Sequence, residues 1–152
     1  MKIIAIDVGN SETTIGVGNS QGWQGYRFTT RKTVTSDELL MMFKTIIDNP
    51  LIKEGLIEGA IICSVVPEIT NSVSEATSRF ISKDVLTVGP GVKTGLKVNI
   101  DNPKELGPDR IANSIGGYSK VSSEVIVVDL GTATTFDIVN TKKEYLGGSI
   151  AP

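Results

Sequence analysis

Ile3-Ile4-Ala5-Ile6-Asp7-Val8-Gly9-Asn10-Ser11 opens the chain, and Val125-Ile126-Val127-Val128-Asp129-Leu130-Gly131-Thr132-Ala133 repeats its pattern later on. In both stretches a run of mostly β-branched residues ends in an aspartate, and a glycine stands two positions further on. The apolar runs predict buried strands. The glycines permit tight turns, and short hydroxyl or amide side chains beside exposed backbone N–H groups make an anion cradle. A carboxylate where a strand runs out, followed by such a cradle, suits the phosphates of a nucleotide and a metal ion. Two copies predict a two-lobed phosphotransfer enzyme with ATP in the cleft between the lobes.

The elements around each copy follow one plan. Residues 2–7, 13–17 and 22–29 read as strands, with Gly18-Asn19-Ser20-Gln21 as a hairpin turn. Thr35-Ser36-Asp37-Glu38 is a capping box that starts a helix through about Asp48, striped by Leu39, Leu40, Phe43, Ile46 and Ile47. Asn49-Pro50 ends it. Ala60 to Val66 is a continuous apolar run, as in a central parallel strand. Pro67 opens a second helix with Ile69, Val73, Ala76 and Phe80 on one face. Asp84 to Val88 reads as a short strand. The glycine-rich stretch from Gly89 to Pro103 reads as an irregular loop of the kind that lines sites. Gly107-Pro108-Asp109-Arg110 leads into a helix to about Lys120, weakened by Gly116-Gly117. Residues 122–129, 134–140 and 144–150 predict the strands of the second copy.

This is an α/β pattern with a first lobe over 1–118 and the start of a second over 119–152. Three strands without covering helices would leave an apolar sheet face and an unpaired edge. The expectation is therefore a fragment of a longer protein, or a face that something else covers.

Composition narrows the chemistry. The 152 residues carry a net charge of −2 and contain no histidine and one cysteine. A near-balanced charge without a basic run argues against a nucleic-acid surface. No basic start leads into a long apolar stretch, so neither a signal peptide nor a membrane span is expected, and the composition fits a cytosolic, cytoplasmic protein. The lone Cys63 excludes an internal disulfide and multi-thiolate zinc, and reads as core packing. Without imidazole, Ser-His-Asp triads and His-based zinc sites are excluded. Proton transfer falls to Asp, Glu, Lys or Tyr, and any metal should be a hard cation such as Mg²⁺.

Each candidate residue has a plain alternative. Asp7 and Asp129 read as paired acceptors for a cation or its waters; alternatively both merely start turns. Asn10, Ser11 and Thr132 sit beside the glycines and read as phosphate contacts, whereas Thr13, Thr14, Thr134 and Thr135 suit ordinary strand positions. Asp109 stands at a helix start, where aspartate commonly caps; in a chain without histidine it is also the leading base for a substrate hydroxyl. Arg110 could fork onto the carboxylate of an acidic substrate. Lys93 and Lys97 could steer anions or simply be solvated. Trp23 reads as packing on the outer strand. No P-loop or protein-kinase signature is present.

Asp7-Val8-Gly9-Asn10-Ser11, Gly89 to Leu96, Asp101-Asn102-Pro103, Gly107-Pro108-Asp109-Arg110, Asp129 to Asp137 and Gly147-Gly148-Ser149-Ile150-Ala151-Pro152 together resemble the type III pantothenate kinases, in family order and across the whole chain. The resemblance implies ribonuclease-H-like (actin-like ATPase) lobes, the first with a mixed five-stranded sheet flanked by helices, and a homodimer. It implies transfer of the ATP γ-phosphate to the terminal hydroxyl of pantothenate, the first step of coenzyme A biosynthesis. By that resemblance Asp7, Val8, Gly9, Asn10, Ser11, Glu12, Thr13 and Thr14 form the first phosphate loop, and Thr132 also contacts ATP. Asp109 is the proton acceptor, and Ile100, Gly107, Pro108, Asp109 and Arg110 border pantothenate. Asp129 binds a monovalent cation, potassium or ammonium, and Mg²⁺ accompanies the nucleotide near Asp7.

The chain departs from the family pattern at three places. Ile100 stands where members carry a substrate-touching tyrosine, Pro108 replaces a small residue, and members continue well past the Ala-Pro that ends this chain. These departures keep two other readings open: a non-catalytic nucleotide-binding or regulatory module, and a kinase for another small hydroxy-acid or sugar.

Overall fold

A computed structural model describes residues 2–47, 57–89 and 91–152, with the side chain of Ile47 excepted. The chain divides into two units, Met1–Val88 and Gly89–Pro152.

In the first unit β1 (Lys2–Val8), β2 (Glu12–Asn19) and β3 (Gly22–Thr29) form a meander. Helix α1 (Ser36–Ile47), β4 (Ile57–Ser64), α2 (Pro67–Ile81) and β5 (Val85–Thr87) follow. The sheet order is β3-β2-β1-β4-β5, antiparallel across β1–β3 and parallel from β1 through β4 to β5. This is the expected ribonuclease-H-like arrangement, a mixed five-stranded sheet with helices.

Alternation along β1 explains its placement. Ile4, Ile6 and Val8 turn into the core, while Asp7, of opposite parity, is exposed. Ile62 of β4 lies beside them, fully buried. Both helices supply the predicted apolar stripes: Leu39, Phe43 and Ile46 from α1, and Ile69, Val73, Ala76 and Phe80 from α2. The Phe43 and Phe80 rings meet at 5.9 Å, tilted by 57°, within the range of favourable aromatic pairs.

The capping box forms as written. Glu38 Oε2 accepts from the Thr35 N–H at 2.8 Å, and the Glu38 N–H donates back to Thr35 Oγ1 at 3.3 Å. The helix end expected at Asp48, Asn49 and Pro50 lies outside the described residues. Strand β4 begins at Ile57, before the expected Ala60, and stops at Ser64. The Val66 N–H bonds Ser64 Oγ at 3.2 Å, which turns the chain ahead of Pro67. Cys63 is buried in β4, in keeping with a packing role. Trp23 is 55% exposed, its ring resting over Gly16 and Gly18 of β2.

The second unit contains β6 (Lys97–Val98), a 3-10 turn (Pro103–Glu105), α3 (Pro108–Val121), β7 (Val125–Leu130), β8 (Thr134–Val139) and β9 (Glu144–Ala151). Its sheet order is β6-β9-β8-β7. One expectation changes here. The supposed irregular loop contributes a fourth strand, β6, parallel to β9, with Lys97 opposite Glu144. Within the unit that begins at Gly89, α3 packs on β7 and β8. The second sheet therefore has a covering helix on one face. Ile111, Ile115 and Tyr118 of α3 pack with Val125 around buried Leu96, Leu106, Val139 and Tyr145. The opposite face is apolar and open, with Ile126, Val128, Leu130, Phe136 and Ile138 exposed.

Gly116 and Gly117 do not end α3, which runs to Val121. A Cβ on Gly117 would collide with Val127 of β7. The glycine lets helix and strand approach closely, and tertiary packing overrides its low helix propensity. None of the described helices is long and apolar enough to cross a membrane.

Candidate functional site

Both copies of the opening pattern become β-hairpins. Asp7 lies opposite Thr14 across β1 and β2, and Asp129 lies opposite Thr135 across β7 and β8. The connecting turns close on the glycine. The Gly9 N–H bonds the Glu12 carbonyl at 2.9 Å, and the Gly131 N–H bonds the Ala133 carbonyl at 3.2 Å. The second turn is thus one residue tighter than the first. A Cβ on Gly9 would stand 2.9 Å from the Glu12 carbonyl, so a side chain there is crowded.

In the first unit, Asp7, Asn10, Ser11 and Glu12 are exposed along the loop. Glu12 faces Arg27 at 4.0 Å. Val8 and Thr13 instead point inward, so they shape the loop from beneath rather than present side chains to a ligand. Thr14 is half-buried. Sequence reasoning missed Thr30. Its hydroxyl donates to the Gly9 carbonyl at 2.7 Å and meets Thr13 Oγ1 at 2.9 Å, while its N–H bonds the Ser11 carbonyl at 2.9 Å. Its place at the end of a predicted strand gave no local sign of this clamp, which forms only when β3 folds back beside β2.

In the second unit the chemistry gathers between α3 and one sheet face. Gly107 is the N-cap, and Pro108, Asp109 and Arg110 form the first turn. Proline suits that turn because its missing N–H has no helical partner there. The half-buried Asp109 accepts the Arg110 N–H at Oδ1, 2.8 Å. Arg110 and Asn113, three residues apart, share a helix face. Arg110 Nε donates to Asp137 Oδ1 at 2.8 Å, and Asn113 Nδ2 donates to Asp129 Oδ2 at 2.8 Å. Thr132 is exposed in the β7–β8 turn. Ile100 is half-buried against the apolar cluster, its Cγ2 3.9 Å from where a Cβ on Gly147 would lie.

Asp137 has no solvent exposure and accepts further bonds from the Tyr145 hydroxyl at 2.8 Å and Thr135 Oγ1 at 3.4 Å. Burial, reinforced by the hydrogen bond to Asp137, pushes the Tyr145 phenol well above its ordinary range, so it stays a donor. Lys97 pairs with Glu144 at 2.6 Å, which holds that carboxyl below its usual range. Lys97 is therefore engaged in the β6–β9 pairing.

Among the described residues no group of three or more Asp, Glu, Cys or His converges on a metal position. A cation here would have one or two carboxylates plus backbone, phosphate and water oxygens. That donor set fits Mg²⁺, which keeps several waters and binds through few carboxylates. Asp129 also fits a cation: Asn113 fixes Oδ2, while Oδ1 points toward the Gly131 turn.

The sequence model of the family described as type III pantothenate kinase matches residues 3–152. A type III pantothenate kinase of Pelobacter propionicus is 40% identical over 99% of this chain and 59% of its own length. One from Citrifermentans bemidjiense is 41% identical with the same coverage. The chain thus spans about three-fifths of the curated relatives it matches. Among solved structures, a ROK family glucokinase of Streptomyces griseus superposes with a TM-score of 0.53 at 13% identity, covering 99% of this chain and 48% of that one. A putative 2-dehydro-3-deoxygalactonokinase of Sinorhizobium meliloti gives 0.51 at 13%, covering 97% and 52%. These two support the fold alone.

Proposed function

The chain belongs to the type III pantothenate kinase family, and on that premise we propose that its protein phosphorylates pantothenate with ATP, yielding 4'-phosphopantothenate for coenzyme A synthesis. The observation that carries this reading is the first turn of α3, where Asp109 and Arg110 stand side by side and Arg110 is anchored on a buried carboxylate.

Each unit has its share of the work. The Gly9 turn, with Asp7, Asn10 and Ser11 exposed around it, takes nucleotide phosphates, and Thr30 keeps it in shape. In the second unit Arg110 pairs with the substrate carboxylate, and Thr132 contacts ATP. Asp109 orients the terminal hydroxyl and accepts its proton as the new oxygen–phosphorus bond forms and ADP leaves. Such transfer depends mainly on positioning and on neutralising the charge of the moving group. Mg²⁺ at the nucleotide and a potassium or ammonium ion at Asp129 supply part of that neutralisation. We read the two units as a first lobe and the beginning of a second, in a cytoplasmic homodimer.

Ile100 favours one second reading. It supplies no hydroxyl and packs with the apolar cluster, which suits a kinase for a related hydroxy-acid. ADP release by the full-length protein, measured with pantothenate and with a panel of hydroxy-acids and sugars, separates the two. The expected result is pantothenate-dependent turnover that falls by about 10²–10⁴ in Asp109→Asn. Turnover indifferent to pantothenate, or unharmed by that substitution, overturns the proposal.

A further inference from the structure

The β8–β9 ladder builds a seat for one side chain of α3. Asp137 lies opposite Gly148 in the ladder. Arg110 Nε is held by Asp137 Oδ1 at 2.8 Å, and Nη2 donates to the Phe136 carbonyl at 3.2 Å. The guanidinium carbon lies 5.9 Å from the Tyr145 ring centroid, within cation–π range. A Cβ on Gly148 would collide with Arg110 Nη2 and with the Phe136 carbonyl, so only glycine leaves room for the guanidinium. Asp137 is in turn fixed by the Tyr145 hydroxyl at 2.8 Å. Among the described residues Nη1 has no protein partner.

A bare ion pair does not need this much construction. Two donors and one face of the arginine are committed to the protein, and one terminal nitrogen is left over. An arginine that must meet a planar carboxylate benefits from being locked before the ligand arrives, because a side chain already ordered loses less entropy on binding.

We propose that Asp137, Tyr145 and Gly148 are positioning residues that pre-set Arg110 for the carboxylate of the substrate. This rests on the pantothenate reading above. It assigns the second sheet a part in substrate selection: β8 and β9 aim the arginine although none of the three residues need touch substrate.

The test is steady-state kinetics on the full-length protein with pantothenate and with its neutral primary-amide analogue. Asp137→Asn keeps the volume and removes the charge. It should raise KM for pantothenate by roughly tenfold to a hundredfold, leave KM for ATP within about twofold, and erase the preference for the acid over the amide. Tyr145→Phe removes one hydrogen bond and should move the same quantities by about threefold. Because Asp137→Asn could fail to fold, Tyr145→Phe alone suffices to decide. An unchanged acid-to-amide preference in Tyr145→Phe, or equal rises in both KM values, overturns the inference. Absence of pantothenate turnover in the unsubstituted protein overturns the functional reading and this inference with it. Normal turnover there, with an unmoved preference in the variants, overturns this inference alone.

Discussion

Asn113 on α3 and Asp129 at the end of β7 are joined by a 2.8 Å hydrogen bond from Nδ2 to Oδ2. That bond fixes the plane of the carboxylate and commits one oxygen; under the proposed function the other would face the monovalent cation. Partners that orient a ligating group commonly matter for affinity on the order of tenfold. Asn113→Ala should therefore raise the half-saturating potassium concentration by about that factor in a kinase assay. Activity at saturating potassium should fall much less. An unchanged potassium dependence would show that Asp129 is not the cation ligand, or that Asn113 does not orient it.

The two adjacent glycines of α3 make opposite predictions. Gly116 is exposed, and a Cβ there would meet nothing within 4 Å. Gly116→Ala should stabilise by about 0.5–1 kcal/mol through helix propensity and a less flexible unfolded chain. Gly117→Ala gains the same propensity term but drives a methyl into Val127. Overpacking of that kind costs about 1–3 kcal/mol, so the net effect should be destabilising. Thermal melts of the two variants should move in opposite directions from the parent. A rise in both would mean that β7 yields freely to the helix.

Thr30 tests whether the first turn is held from beneath. Its hydroxyl contacts the Gly9 carbonyl and Thr13 Oγ1 at 2.7 and 2.9 Å. Thr30→Val keeps the shape and removes both bonds. At about 1 kcal/mol per bond, the loop should lose enough order to raise KM for ATP by about tenfold, with KM for pantothenate little changed. Equal changes in both would point to a general loss of fold instead.

What could be read from the sequence was what is local. The Thr35–Glu38 box, the stripe of α2 and the two Asp-x-Gly turns depend on residues a few positions apart, and all three form. Membership of α3 in the second unit depends on Arg110, Asn113 and Gly117 meeting β7 and β8, contacts that no window along the chain contains. The spacing of these residues along one helix face was a usable sign, but an arginine, an asparagine and a glycine make no apolar stripe that would mark the face as covered. Asp137 was hidden by a similar ambiguity. In Thr134 to Val139 both parities carry apolar residues, so the pattern does not say which face is covered. The covered one proves to hold Asp137 with Val139, while Phe136 and Ile138 are exposed.

The capping box of α1 gives a pH signature whose sign can be worked out. The Thr35 backbone N–H, and then its hydroxyl, hold the Glu38 carboxyl below its usual value of 4.5. A carboxyl whose pKa is lower in the folded state than in the unfolded one contributes stability above the unfolded value. The contribution is lost as pH falls through the folded value. Glu38→Gln should accordingly melt below the parent at neutral pH, because the neutral amide accepts more weakly from the N-cap and interacts less with the helix N-terminus. The gap should begin to narrow once the pH drops below 4.5, where the unfolded chain takes up its proton first, and should close at the lower pH where the folded carboxyl is protonated too. Melting curves of both proteins across the acid range check this. A gap that stays constant with pH would mean that Glu38 acts through shape alone.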